Sequence, residues 1–167
     1  KDVVIKGKDL KGGFQMKGDQ IDISLQSLSL KYPRLELSGK IHIDQKTPAY
    51  ALEVEGREVD VMSTREVALA LAGQLPVTRT IFNIVRRGRV PVITFLSRGR
   101  SVGDLDDREK FSLKGNLRDG MISLSAENFG PKGVDIDLDS VVGNVVISKG
   151  LLEIENLSAR WGNNQLR

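Results

Sequence analysis

The chain has no cysteine, one histidine and few aromatic side chains, which make up 5% of its 167 residues. Without cysteine it can form neither disulfide bonds nor thiolate metal sites. No apolar run approaches the roughly 18–20 residues that cross a bilayer as a helix, and the first residues lack the apolar core of a secretion signal. We therefore expect a piece of a longer protein, folded around a Leu, Ile and Val interior.

Acidic residues are missing from one long window. Between Val67 and Gly103 there is no Asp or Glu, whereas six arginines occur there. The whole chain has a net charge of +3, so the rest of it is net acidic. Because the basic character is confined to one segment, the composition does not indicate a nucleic-acid-binding domain, and few aromatic residues are present to stack on bases. Any anionic partner is expected to contact this segment.

Alternating apolar and polar residues dominate both ends of the chain. Residues 1–62 contain about four or five such runs, with a phase slip at Gln26 and Ser27 that predicts a β-bulge or a tight connection. Residues 108–167 contain further runs separated by glycine turns, and segments 35–44, 111–120 and 139–150 share an apolar pair, a glycine and a second alternating run. The pattern predicts a mainly β fold: one antiparallel meander that forms a curved sheet or open trough.

The middle zone, residues 63–107, has a helical period. Ser63 or Thr64 is a suitable N-cap for a first helix that Gly73 and Pro76 end, and a second amphipathic helix is expected to run from Pro76 to a stop at Gly88. The sequence thus predicts one or two short helices at about 64–88, inserted into a single unit. Residues 90–96 are β-branched enough to return to strand.

Catalytic and metal-binding motifs are weak. His42 lies between Ile41 and Ile43 in a strand pattern, so it is interpreted as a solvated strand histidine, and no G-x-S-x-G motif occurs. The alternating carboxylates Asp135, Asp137 and Asp139 resemble the start of a calcium loop, but the glycine and glutamate that such a loop requires are missing. These three, like Asp104, Asp106 and Asp107, are interpreted as solvated. We expect no catalysis, no metal and no cofactor.

Arg86, Arg87 and Arg89 form the densest charged cluster. Near an anionic membrane each contributes about 1 kcal/mol, so three together shift binding by roughly a hundredfold. A solvated helix end, where cations also favour the helix dipole, explains the same residues. Headgroup or membrane contact and a solvated helix end both remain open.

The order of these parts resembles the AsmA-like family of Gram-negative envelope proteins, over most of the chain from about Leu35 onward. The match lies in LPVTRTIFNIVRRGRVPVITFLSRGRSVGDL, FSLKGNLRDGMISL and VVGNVVISKGLLEIENLSARWGNN. Its strongest elements are RRGRVP and the final strand pair. The resemblance implies a segment towards the C-terminal part of a long curled β-sheet in the periplasm. Such a protein is anchored in the inner membrane by an N-terminal helix, which this sequence does not contain, and is implicated in moving phospholipid toward the outer membrane.

These observations predict a non-enzymatic segment that binds or conducts phospholipid along an apolar groove. The expected partners are phospholipid acyl chains, an anionic membrane surface, adjacent segments of the same long chain and outer-membrane assembly proteins, with no nucleic acid. Groove lining is predicted for strand-borne aliphatic residues: Leu35, Leu37, Ile41, Ile43, Leu52, Val54, Leu113, Leu117, Ile122, Leu124, Val145, Ile147, Leu152 and Ile154.

Other functions fit the same sequence. A structural or interaction module would use exposed sheet edges to add strands from neighbouring domains or outer-membrane proteins, without bound lipid. An enzyme acting on envelope glycans would need a cleft with paired carboxylates, and the nearest candidates here lie on solvated strands or loops. A closed apolar core would also produce the binary pattern of a groove.

Overall fold

The computed structural model describes residues 5–107, 109–126 and 134–167, and shows one open antiparallel sheet of nine strands paired in sequence order. The strands are β1 (Lys6–Lys17), β2 (Gln20–Tyr32), β3 (Leu35–Asp44), β4 (Ala49–Asp60), β5 (Val85–Gly99), β6 (Phe111–Leu124), β7 (Ile136–Ser148), β8 (Leu151–Trp161) and β9 (Asn164–Leu166). Two helices, α1 (Val61–Ala72) and α2 (Pro76–Ile84), connect β4 to β5. A short 3-10 segment, Gly103–Asp106, follows β5 and is named the rim turn. The predicted fold class is confirmed.

Pairing register places the apolar residues of successive strands on one side of the sheet. Ile41 pairs with Leu52, Val54 with Phe95 and Leu113 with Ile147, and residues paired across strands lie on the same face. This side is named the apolar face and the opposite side the polar face. The predicted bulge is present, because Leu25 pairs with Gly39 and Leu28 with Leu37.

Single residues in the left-handed conformation keep the apolar face continuous within each long strand. In β4 the positions on the apolar face change from even numbers, ending at the buried Gly56, to odd numbers, beginning at the buried Val59. Glu58, between them, has φ of 51°. One such residue occurs in each strand from β4 to β8: Glu58, Gly88, Asp119, Ser140 and Asn156. Each restores the phase of the pattern, so that the buried positions on either side of it face the same core.

The helix boundaries differ from the predicted ones. Asp60 caps α1, since its carboxylate accepts a hydrogen bond from the Ser63 amide at 2.8 Å; the prediction of Ser63 or Thr64 as cap is wrong. The second helix ends at Ile84 and not at Gly88. The following residues join β5 because they pair with β6, and Gly88, with φ of 130°, forms a bulge within that strand.

The core lies between the apolar face of the central strands and the two helices. Phe111, Leu117, Ile122 and Ile147 are at most 2% exposed, and Val61 and Val77 bring α1 and α2 into the same cluster. By contrast, every residue of β1 is exposed. The apolar face is therefore covered over the middle of the sheet and open along β1.

Candidate functional site

An apolar cavity of about 160 Å³ lies between the helices and the sheet. The helices contribute Val61, Thr64, Ile81 and Phe82, and the rest of the lining comes from β3 to β7: Leu35, Leu37, Val54, Gly56, Val59, Val85, Val90, Ile93, Phe95, Leu113, Gly115, Leu117 and Val145. In a flat sheet β3 and β7 would be four strand spacings apart, roughly 19 Å. Since both line one cavity, the sheet curls around it.

The only side-chain oxygen among the described residues that is both buried and unpaired lies in this lining. It is the hydroxyl of Thr64, which has no hydrogen-bond partner. Leaving a buried hydroxyl unpaired costs about 1–3 kcal/mol. The lining therefore carries one polar atom that the fold itself does not use.

Side-chain contacts fix the helices over the cavity. The Tyr32 hydroxyl donates to the Glu66 carboxylate at 2.7 Å, which ties α1 to the end of β2 and raises the pKa of Tyr32. The Arg65 guanidinium donates to the Phe82 carbonyl at 3.0 Å and joins α1 to α2. The helical pair, residues 61–84, is named the roof.

The rim turn meets the roof from the opposite end of β5. Strand β5 begins beside α2 and ends beside the rim turn, so the two covers approach from different ends of the sheet. The amide of Val77, in the first turn of α2, donates to the Asp106 carboxylate at 3.2 Å. The Ser97 hydroxyl donates to the Leu105 carbonyl at 3.0 Å and holds the rim turn on the apolar face. Roof and rim turn together cover the central strands.

Asp104 organises the rim turn. Its carboxylate accepts a hydrogen bond from the Lys110 ammonium and others from the amides of Arg100 and Ser101, at 2.7 and 3.0 Å. The Lys110 contact is the largest cause that lowers the pKa of Asp104 to about 2. The Asp104 carboxylate therefore stays ionised throughout the physiological pH range and can accept these hydrogen bonds.

Beyond the roof, the apolar face is open. Leu10, Phe14 and Met16 of β1 are 72%, 67% and 65% exposed, and Ile23 of β2 is 41% exposed. Phe14 pairs with Ile23, and Met16 with Ile21, so these side chains continue the face that lines the cavity. Exposed apolar area of this kind is typical of binding surfaces. The groove thus has an enclosed part under the roof and an open part at β1 and β2.

All fourteen predicted groove residues lie on the apolar face, as the register shows. Their surroundings differ. Six of them line the cavity: Leu35, Leu37, Val54, Leu113, Leu117 and Val145. Two others, Ile122 and Ile147, are buried in the core, and the remaining six are half-buried: Ile41, Ile43, Leu52, Leu124, Leu152 and Ile154. The face therefore serves partly as core and partly as accessible surface.

The predicted set omits the open part and the roof. Phe14 and Met16 alternate in the segment GGFQMK, and this alternation was the available signal for an apolar strand face. Ile81 lies in the predicted amphipathic second helix, but its position in the cavity lining depends on how the helices fold back over the sheet. Sequence alternation alone does not contain that tertiary contact.

The three arginines lie on β5 beside acidic residues. Arg87 donates to the Asp139 carboxylate at 2.6 Å. Arg86 borders a surface pocket with Asp135 and Asp137. Arg89 lines another, in which three arginines and three carboxylates meet: Arg34, Arg89, Arg118, Glu58, Asp60 and Asp119. The interpretation as a helix end is wrong, because pairing with β6 extends the strand to Val85. Arg87 is therefore paired, whereas Arg86 and Arg89 have carboxylates in the same surface pockets.

The other polar candidates have structural partners. His42 Nδ1 lies 2.7 Å from Asp22 Oδ1 across the β2–β3 pair. The Asp135 carboxylate accepts from the Ala126 amide at 2.6 Å. Residues 5–107, 109–126 and 134–167 contain no group of three or more acidic or histidine side chains placed to hold a metal ion. Within the same ranges no helix combines the length and apolar character needed to span a membrane.

Comparison with known proteins adds no relative. No family model matches the chain, and neither a curated protein nor a solved structure matches it. Membership of the AsmA-like family therefore stays a prediction from the residues quoted above.

Proposed function

We propose that this chain is a non-enzymatic lipid-binding β module, whose apolar face shelters acyl chains. The observation that supports it most is the continuity of that face from the enclosed cavity at Val54 to the exposed side chains of Phe14 and Met16. A closed core would explain buried residues under the roof. It does not explain three large apolar side chains that are each about two-thirds exposed on the same face.

The energetics of acyl chains favour such a surface. Removing a methylene group from water is worth about 0.8 kcal/mol, so a sixteen-carbon tail in water costs on the order of 12 kcal/mol. The cavity of about 160 Å³ is smaller than the roughly 300–1,000 Å³ of typical ligand pockets. We therefore assign one end of a tail to the cavity and the remainder to the open strands β1 to β3.

Lipid headgroups would remain at the solvent side. Because Arg87 already pairs with Asp139, the arginine cluster has less free charge for an anionic membrane than three unpaired arginines would have. In the proposal these residues add a secondary contact to anionic headgroups, and the apolar face provides most of the binding free energy. The resemblance to AsmA-like proteins supports a place in the periplasm, within a longer protein that carries phospholipid between membranes.

Matched pairs of variants test the proposal with a fluorescent phospholipid analogue. Phe14→Asp places a charge on the open face, whereas Gln15→Asp places it on the polar face of the same strand. Val54→Phe fills the cavity, whereas Val92→Phe adds the same group to the polar face of β5.

The proposal expects Phe14→Asp and Val54→Phe to weaken binding at least about tenfold while both controls bind like the original chain. Circular dichroism melting verifies that all four variants fold. Equal binding by all folded variants, or no binding by the original chain, would contradict the proposal and favour an interaction module without bound lipid.

A further inference from the structure

Both covalent connections of the roof lie at the same end of the sheet. The roof leaves β4 after Asp60 and returns to β5 at Val85, and these two strands are neighbours in which Asp60 pairs with Arg89. The hydrogen bond from Tyr32 to Glu66 lies at this end too, because β2 runs in the same direction as β4 and finishes at Tyr32. We name this the hinge end.

A hydrogen bond to the rim turn holds the roof at its other end. Helix α1 has twelve residues, about 18 Å, and carries the chain away from the hinge end. Helix α2 begins there, and the Val77 amide in its first turn donates to the Asp106 carboxylate at 3.2 Å. The rim turn follows the C-terminal end of β5, opposite the hinge end. The contact between Asp106 and Val77 is named the latch.

The roof buries few of its own side chains but covers residues that are almost inaccessible. In residues 61–84, all of which the structure describes, only Val61, Val67 and Val77 are buried. Elements with few buried apolar contacts open at a lower free energy than the whole domain. On the floor of the cavity Leu117 and Val145 are 1% and 4% exposed. A bound molecule therefore reaches the cavity floor only after the roof has moved.

We propose that the roof is a lid, which rotates about the hinge end and is held shut by the latch. Opening connects the enclosed cavity with the open apolar face at β1 and β2, so that one end of a long apolar molecule enters from the side. Lids of this kind set the rates at which many proteins take up and release their ligands. The inference adds regulation to the site of the proposed function, and it rests on that function only for the identity of the bound molecule.

Thiol labelling measures the opening without any lipid. The chain has no cysteine, so Val145→Cys places a single thiol on the cavity floor. Its rate of labelling by a water-soluble disulfide reagent, divided by the rate for the unfolded chain, gives the equilibrium constant for opening. Asp106→Ala, added to this variant, removes the latch. Asp107→Ala is the matched control, because the Asp107 carboxylate accepts from the Glu109 amide at 3.0 Å, in the loop after the rim turn.

The proposal expects Val145→Cys to be labelled in the folded chain, at a rate that low urea concentrations barely change, because an opening lid exposes little surface. Asp106→Ala should raise this rate about fivefold, the equivalent of a lost helix cap, and Asp107→Ala should leave it unchanged. Val90→Cys, at another buried position of the lining, replaces Val145→Cys as the reporter if the latter does not fold.

Two results overturn the proposal. Labelling with the same urea dependence as global unfolding would mean that the cavity opens only when the whole chain unfolds. An Asp106→Ala variant that is labelled no faster than its parent would mean that the contact does not hold the roof shut.

Binding kinetics test whether the lid controls access. For a fluorescent phospholipid analogue, Asp106→Ala should raise the association and the dissociation rate constants by the same factor and leave Kd unchanged, because the latch closes over the empty and the occupied cavity alike. A change in the dissociation rate alone contradicts a lid and indicates a direct contact with lipid. If the original chain binds no lipid while thiol labelling behaves as expected, the proposed function is wrong and the lid stands.

Discussion

The Asp106 carboxylate accepts a hydrogen bond from the Val77 amide at 3.2 Å, and this contact joins the rim turn to the first turn of α2. Residue Leu75, the N-cap of that helix, provides no side-chain cap of its own. A carboxylate at a helix N-terminus satisfies a free N–H and interacts favourably with the helix dipole. Asp106 therefore caps α2 from a distant part of the chain and closes the cover over the central strands.

Removing the Asp106 cap should loosen the roof. We expect Asp106→Ala to lower the free energy of unfolding by about 1 kcal/mol, the usual value of a helix cap, and to accelerate hydrogen exchange at Val77. Asp106→Asn keeps an acceptor oxygen and should lower the free energy of unfolding by less than Asp106→Ala does. Exchange rates at Val77 that are equal in the alanine variant and the original chain would show that the contact does not hold the helix.

The Asp60 cap predicts a pH dependence of stability. Hydrogen bonds from Ser63, its backbone amide first, lower the pKa of Asp60 in the folded chain. A lowered folded pKa stabilises the fold above the unfolded value of about 3.9, and that contribution disappears as the pH falls through the folded pKa. Asp60→Asn retains a capping oxygen without the charge, so its stability deficit should be larger at pH 7 than at pH 3. Urea unfolding at both pH values measures this difference, and a deficit that does not change with pH contradicts it.

Thr64 offers a stabilising substitution. Thr64→Val removes a buried hydroxyl that has no partner and leaves a side chain of similar shape against the cavity. We expect the free energy of unfolding to rise by about 1 kcal/mol. Thr78→Val, at a half-buried position on α2, is the control and should change stability by less than about 0.5 kcal/mol. Equal changes in the free energy of unfolding in the two variants would show that burial of the unpaired Thr64 hydroxyl does not destabilise the fold.

Left-handed positions in the strands predict an unusual effect of glycine. Glu58 has φ of 51°, a conformation that costs a residue with a Cβ atom about 1–2 kcal/mol. Glu58→Gly should therefore increase stability, by up to about 1 kcal/mol after the entropy of glycine is counted. Glu36→Gly, at an exposed position in the regular part of β3, should decrease it by a similar amount. Thermal unfolding of both variants measures the sign of each stability change. Destabilisation by both substitutions would contradict a strained left-handed conformation at Glu58.

Strand alternation was sufficient to predict the meander and the shared face, because register in a half-buried sheet follows the apolar pattern. The phase slip at Gln26 also predicted its bulge. The left-handed non-glycine positions were not predicted, since residues such as Glu58 and Ser140 have no local preference for that conformation. The cap at Asp60 was missed because the strand and helix patterns overlap there. The contact between Asp106 and Val77 spans 29 residues and depends on tertiary packing.

The ion pairs of the charged residues also could not be predicted from the local sequence. The window without acids correctly located a basic segment, but the carboxylates near it lie on β4, β6 and β7. Arg87 contacts Asp139 because the strand order places β7 one strand away from β5, and neither residue predicts the other from its local sequence.

Native mass spectrometry with lipid extraction, on the chain after exposure to phospholipid vesicles, tests the central claim most directly. The proposed groove predicts a complex with phospholipid in stoichiometric amount, which Phe14→Asp reduces and Gln15→Asp leaves intact. A lipid-free mass for the folded original chain, at every vesicle concentration, would contradict lipid binding along the apolar face.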